Sequence, residues 1–405
     1  MRRKVTATES LYLSIEASVG SFSITRAIKG TFLTAKPQIS AIKDAWNRTC
    51  WIHPHFRRIV RKNHWEDMPS DQHPHFRHQA IEIDIANLPH LPKIHCEESA
   101  VCLWLFNDGF VFQVAHSITD GAGLTQLIRT FFRVLRSADT TYGELSAMET
   151  LSPVNNCDID ERTFARRFVA NFNGFVLRWD KKFTNQGTEN QKSEPLEAHW
   201  AHRQLSIHKV LQSQDIKVLL GLIMVRVTQW MQTHHPNKTI RCMLPVDLRK
   251  YDTGSHFDGN LTLPLWLELT GNESAVDLSN EIRHQLKTMQ PLHNAERMAF
   301  ENDLLRGVRN WAFTQMVHWS FRRNRYTLNM VVSFLGRYEK SDYSTGSFQC
   351  DTMWSTALFS GISPVQINFI HDDAHIQFHI SYLRKQFTEL QIEDLFQRIG
   401  CSDTL

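Results

Sequence analysis

The sequence predicts an α/β fold in two domains, with mixed sheets flanked by helices. The chain has 405 residues, too many for one simple core and suited to two domains of roughly 200 residues each. Its hydrophobic content is 42% and its charged content 21%, as in a folded globular chain. Along the chain, segments with strand character alternate with segments of helical period, which argues for α/β or α+β architecture.

The first half opens with a strand-like run, SFSITRAIKGTFLTA (21–35). In KPQISAIKDAWNRTC (36–50), Pro37 suits the first turn of a helix, and Ile42, Ala45, Trp46 and Thr49 recur on one side. Residues 101–115 predict a hairpin, VCLWLF and FVFQVA flanking Asn107-Asp108-Gly109, which is good turn chemistry. Leu124, Leu127, Ile128, Phe131, Phe132 and Leu135 then form an apolar helical stripe. Between strand and helix lies HSITDG (116–121).

A polar, weakly periodic region runs from about 138 to 200. Its clearest loop, TNQGTENQKSEP, places a linker at 184–195 between an N-terminal lobe, 1–183, and a C-terminal lobe, 196–405. In the second lobe, DIKVLLGLIMVRVTQWMQ and AVDLSNEIRHQLKTM predict helices, and TIRCMLPV, NLTLPLWLEL and LNMVVSFLG strands. VQINFIHDDAHIQFHISY predicts a hairpin around Asp372-Asp373. The last helix begins near Thr388, with Gln391 in capping-box position. The pentapeptide HPHFR occurs at 53–57 and 73–77 without matching neighbours, so it marks no structural repeat.

Several function classes are disfavoured. A net charge of +3 does not argue for nucleic acid, and the short clusters RRIVRK (57–62) and RRNR (322–325) suit a solvated face. Seven cysteines, widely spaced and with no Cys-x-x-Cys, fit neither a disulfide framework nor a Cys-based zinc site. The first residues lack the apolar run of a signal peptide, and no stretch is long and apolar enough for a membrane span. A reducing, cytoplasmic setting is expected. Nucleophile-elbow, P-loop, dinucleotide-binding and His-Glu-x-x-His signatures are absent. His53 and His55, His73 and His75, and His371, His375 and His379 are the histidine sets to weigh for metal. No carboxylate or Cys completes a recognised ligand spacing, so no metal site is expected.

The stretch FQVAHSITDGAGLTQL (112–127) carries the chemistry. His116 and Asp120 stand four apart with Gly121 and Gly123 following. The plain structural reading is that Thr119 or Asp120 caps the helix and Gly121 eases a tight turn. The segment also resembles the His-x-x-x-Asp-Gly motif of the acyltransferase superfamily that includes chloramphenicol acetyltransferase, peptide-synthetase condensation domains, alcohol acetyltransferases and wax-ester synthases. WNRTCWIHPHFRRIV resembles that superfamily's early His-Pro-x-Leu/Phe-Arg stretch, LPVDLRKY its Pro-Val-Asn/Asp-x-Arg segment, and FDGNLTLPLWLEL the Gly-Asn stretch that follows. VVSFLG resembles the Ser-Asn-x-Gly segment of the alcohol acetyltransferase branch, and IHDDAHIQFHISYLRKQFT the closing hairpin and helix. These occur in family order over nearly the whole chain. Ala115 stands where many relatives carry a second His, and Phe334 stands at the usual Asn place. The Asp-Phe-Gly-Trp-Gly motif of the plant branch is missing, and no carrier-protein segment is visible.

The resemblance implies a chloramphenicol acetyltransferase-like fold with a tunnel between lobes. It implies an acyltransferase with His116 as general base, acting on an acyl-CoA co-substrate and an alcohol or amine acceptor. Asp120 pairs with Arg249 to fix the turn, while Gly121 and Gly123 let the helix start lie close to the substrate channel. Asn260 and Ser333 are candidates for the channel wall. No prosthetic group or metal is implied. A carrier-protein-bound donor, a non-catalytic binding member of the same fold, and a histidine-based metal-binding protein are the alternatives.

Overall fold

The computed structural model describes residues 2–4, 9, 12–13, 15–16, 22–33, 37–62, 64–138, 198–234, 239–247, 262–288, 315, 326, 328–357 and 363–400. Arg249, Asn260 and the expected linker 184–195 lie outside these residues. The described residues group into two compact units.

The first unit is built on a five-stranded mixed sheet of order β12-β2-β7-β6-β5. Its strands are β2 (Ser23–Phe32), β5 (His75–His78), β6 (Val101–Phe106), β7 (Gly109–Ala115) and β12 (Phe348–Ala357). β5 runs parallel to β6, while the other neighbours are antiparallel. The predicted hairpin is β6–β7, paired from Val101↔Val114 to Phe106↔Gly109. Both strands are buried throughout, which explains why their apolar runs are nearly continuous. One face meets α1 (Ile39–Ile52) and α2 (Gly121–Ala138) through Trp46, Phe112, Phe131 and Phe132, in edge-on and tilted ring pairs. The other buries Ala27, Trp104, Val111 and Trp354 beneath Ile83, Ile85 and Leu88. A small sheet of β1 (Arg2–Lys4), β4 (His64–Asp67) and β3 (Arg58–Arg61), in that order, completes the unit.

At Gly109 a side chain is excluded. Its φ is +153°, and a Cβ there would stand 2.0 Å from the Ile28 carbonyl oxygen of the neighbouring strand. The hairpin therefore joins β2 only with glycine at this position.

The second unit carries a six-stranded sheet of order β10-β9-β11-β13-β14-β8. Its strands are β8 (Ala198–Ser206), β9 (Ile240–Asp247), β10 (Thr262–Leu269), β11 (Met330–Arg337), β13 (Val365–His371) and β14 (His375–Leu383). β9 and β11 are parallel, while β13–β14 and β14–β8 are antiparallel. Leucines of α4 (Leu219–His234), α5 (Ala275–Thr288) and α6 (Glu389–Gly400) share one apolar core with Leu265, Met330, Val332, Ile367 and Phe378. A short helix, α3 (Ile207–Leu211), follows β8. The expected capping box opens α6. The Thr388 N–H donates to Gln391 Oε1 at 2.8 Å, and the Gln391 N–H donates to Thr388 Oγ1 at 3.2 Å.

The grouping differs from a simple split into 1–183 and 196–405. Residues 335–358 belong with the first unit, because β12 pairs along β2 from Phe348↔Phe32 to Ala357↔Ile24. Pairing with a strand far away in sequence is invisible to a boundary drawn from composition. Among the described residues, no helix is long and apolar enough to cross a membrane, and Cys50, Cys96, Cys102, Cys242 and Cys350 are buried free thiols.

Candidate active site

His116 is the first residue past β7. Its N–H donates to the Phe22 carbonyl at 2.9 Å, continuing the β2–β7 ladder by one step. The chain then turns: the Ile118 N–H donates to the Ala115 carbonyl at 3.1 Å, which sets His116 and Ser117 at the centre of a four-residue turn. The imidazole stacks against two rings, Tyr12 at 4.4 Å and Phe22 at 4.9 Å between centroids. Burial raises the Tyr12 phenol well above its ordinary value, and the charge of Asp120 adds to the effect. Tyr12 is therefore a neutral partner for the imidazole.

Asp120 is the N-cap of α2. Its Oδ1 accepts the N–H of Ala122 at 3.1 Å and of Gly123 at 3.0 Å, while its carbonyl takes the Leu124 N–H at 3.0 Å. Its Oδ2 accepts the Thr262 hydroxyl at 3.0 Å. The side chain is 1% exposed, so these bonds offset the loss of water around the carboxylate. Gly123 is expected to let the helix start lie close to a substrate channel; its N–H is taken by this cap. Gly121 is crowded: a Cβ there would lie 3.1 Å from Leu335 Cδ2 and 3.7 Å from a terminal nitrogen of Arg26.

Three further groups, none assigned to the turn by sequence reasoning, hold it in place. The Nε2 of His55 is hydrogen-bonded to the Ile118 carbonyl, and its Nδ1 lies 3.4 Å from an Arg58 guanidinium nitrogen. A carbonyl only accepts and a guanidinium only donates, so these contacts select the Nε2–H tautomer. The buried Arg26 of β2 donates to the Gly121 carbonyl at 3.1 Å and to Thr125 Oγ1. Burial lowers its pKa from the usual value. On the remaining side, Ser117 Oγ lies 3.4 Å from Cys96 Sγ, which in turn donates to Glu16 at 3.8 Å. Burial pushes the Glu16 carboxyl up to about 7, a shift opposed by the Cys96 hydrogen bond and aided by the charge of Glu97.

Of the histidines weighed for metal, His53, His55 and His371 make hydrogen bonds to other groups of the chain. His53 is hydrogen-bonded to Thr130 of α2 at 2.9 Å, and the Nδ1 of His371 to the Asp372 carbonyl at 2.8 Å. No group of three or more His, Cys, Asp or Glu able to hold a metal occurs among the described residues. Of the remaining expected site residues, Ser333 lies on β11 in the second unit. Phe334 beside it stacks on Phe369 at 4.8 Å and on His371 at 5.8 Å, which is an apolar role.

No family model and no curated protein matches the sequence. Solved structures do match over nearly the whole chain. Polyketide synthase associated protein 5 from Mycobacterium tuberculosis aligns with a TM-score of 0.60 at 14% identity, covering 98% of this chain and 96% of that one. The trichothecene 15-O-acetyltransferase TRI3 from Fusarium sporotrichioides gives 0.63 at 12%, covering 98% and 94%. A starter condensation domain of rhizomide synthetase, solved with C8-CoA and Leu-SNAC, gives 0.62 at 11%, covering 98% and 93%. The fold is thus that of the condensation-domain and chloramphenicol acetyltransferase-like proteins.

Proposed function

We propose that the protein is an acyltransferase that moves an acyl group from a thioester, acyl-CoA, to an alcohol or amine, with His116 as general base. The observation that carries this reading is the construction of the turn. A single half-buried imidazole is presented directly after a core strand, and the loop beneath it is fixed by Asp120, His55 and Arg26. A helix cap alone needs only Asp120.

In the reaction, the imidazole takes the proton of the acceptor as its oxygen or nitrogen attacks the thioester carbonyl. It then returns the proton to the leaving thiolate as the tetrahedral intermediate collapses. The ordinary pKa of a histidine suits both transfers near neutrality. Asp120 orients the turn and takes no proton from substrate, since both carboxylate oxygens already accept hydrogen bonds within the protein. Arg249 is the cation the family resemblance offers to that carboxylate. Asn260 and Ser333 remain the candidates for substrate contact. An alcohol acceptor is favoured over an amine by the likeness of the second-lobe segments to alcohol acetyltransferases. A cytoplasmic location belongs to this proposal, as does the absence of a prosthetic group.

The test is thiol release from acetyl-CoA and longer acyl-CoAs with panels of alcohols and amines, run beside the same acyl groups on a carrier protein. CoA-dependent release with an alcohol supports the reading as stated. Release only from the carrier-bound thioester moves the donor to the alternative. No release from any donor supports a non-catalytic binding member of this fold.

A further inference from the structure

The two faces of the second sheet differ. Ile367, Phe369, Phe378 and Ile380 turn to the helices, as do Met330 and Val332. Alternation places Gln366, Asn368 and the apolar Ile370 of β13, and Gln377, His379 and Ser381 of β14, on the opposite face. The registers set them in rows. Gln366 faces Ser381, Asn368 faces His379, and β8 continues the rows with Trp200 opposite Ser381, His202 opposite His379 and Gln204 opposite Gln377. Neighbouring strands stand about 4.8 Å apart and alternate residues about 7 Å apart, so these side chains form one grid.

Gln366, Asn368, Gln377, His379 and Ser381 are all under 9% exposed. Even so, Gln366 Oε1, Asn368 Nδ2, both side-chain heteroatoms of Gln377, His379 Nε2 and Ser381 Oγ have no hydrogen-bond partner among the described residues. Folded proteins leave few such groups, and a cluster on one sheet face calls for a partner other than the core. Across β8 the rows reach solvent at the exposed His202 and Gln204, which gives a way in.

We propose that this grid binds a neutral small molecule bearing several hydroxyl or carboxamide groups. No Asp, Glu, Lys or Arg occupies a grid position, so no ion pair for a phosphate, carboxylate or ammonium is on offer. Burial, with the neighbouring His202, pushes His379 down to about 3, so its imidazole is neutral under ordinary conditions. Three carboxamides, a hydroxyl and an imidazole supply donors and acceptors together, the chemistry that recognises polyols and amides and repels an alkyl chain. The proposal stands independently of acyl transfer.

The experiment combines thermal unfolding with ligand-observed NMR on the full chain. The probes are myo-inositol and N-acetylglucosamine, with gluconate and glucosamine as charged counterparts. The variants are Asn368→Leu with Gln377→Met, and separately Ser381→Ala, which removes a single hydroxyl. The proposal expects both variants to unfold at higher temperature than the wild type, since they remove unpaired polar groups. It also expects the neutral probes to bind the wild type and to bind the double variant at least about tenfold more weakly, with the charged probes silent. Lower unfolding temperatures in both variants would show the grid to be satisfied within the chain and overturn the idea. Raised temperatures with no binding of either neutral probe would assign the grid to water alone and overturn it equally. Equal binding of charged and neutral probes, or equal binding to wild type and double variant, would do the same.

Discussion

Thr262 donates its hydroxyl to Asp120 at 3.0 Å. Both residues belong to the first unit, and the bond completes a carboxylate whose other oxygen holds two backbone N–H groups. The motif aspartate is therefore a structural hub, and substitution can separate its capping role from its charge. Asp120→Ala removes all three bonds and should cost roughly 2 kcal/mol of stability, seen as a lower unfolding temperature along with lost activity. Asn caps a helix about as well as Asp. Asp120→Asn should therefore keep most of the stability, and any activity lost in that variant measures the charge.

His53 and His55 make a second contrast. His53 bonds Thr130, well inside α2, whereas His55 bonds the Ile118 carbonyl within the turn itself. His53→Ala should lower the unfolding temperature and leave kcat near the wild-type value. His55→Ala should lower kcat about tenfold or more while KM changes little, because a displaced base is costly even when binding persists. Steady-state kinetics on the two variants reads this directly.

The pH dependence of stability has two opposed contributions. Glu16 is raised to about 7 from an unfolded value near 4.5, so the unfolded chain ionises first, and stability falls as pH rises from about 4.5 to 7. His379 is lowered to about 3 from 6.5, so the unfolded chain protonates first, and stability falls as pH drops below about 6.5 toward 3. Unfolding temperatures across pH 4 to 8 should show Glu16→Gln flattening the loss on the alkaline side and His379→Gln flattening the loss on the acid side.

Gly109→Ala puts a methyl 2.0 Å from the Ile28 carbonyl oxygen at a positive φ. Backbone cannot yield as a flexible side chain does, so the substitution should cost on the order of 2 kcal/mol or more. Denaturant unfolding checks it, and an unchanged midpoint would contradict the assigned register.

Much of this architecture was legible because local and tertiary signals agree. The β6–β7 hairpin, α2 with its stripe, the capping box of α6 and the β13–β14 hairpin all stand where period and turn chemistry put them. β12 was not legible, since a bulge between Cys350 and Thr352 breaks its alternation. β8 is an edge strand of mostly polar residues with exposed middle positions, so it lacks an apolar face to read. The repeated HPHFR shows how far context overrides local sequence: at 53–57 it enters a 3₁₀ turn, and at 73–77 it enters β5 beside β6. At the site, His116 and Asp120 were marked by their spacing. Thr262 lies two residues from a segment already singled out at Asn260. Tyr12 and Arg26 carry no local signal, because their contacts with the turn come only from folding, and Glu16 reaches it only through Cys96.

In the proposed reaction His116 performs the proton transfers. The most direct measurement is the turnover of thiol release for the wild type and for His116→Ala, with the variant's fold checked by its unfolding temperature. The expected result is a loss of about 10²- to 10⁴-fold in kcat for a variant that unfolds near the wild-type temperature. A folded His116→Ala that turns over at the wild-type rate would contradict it.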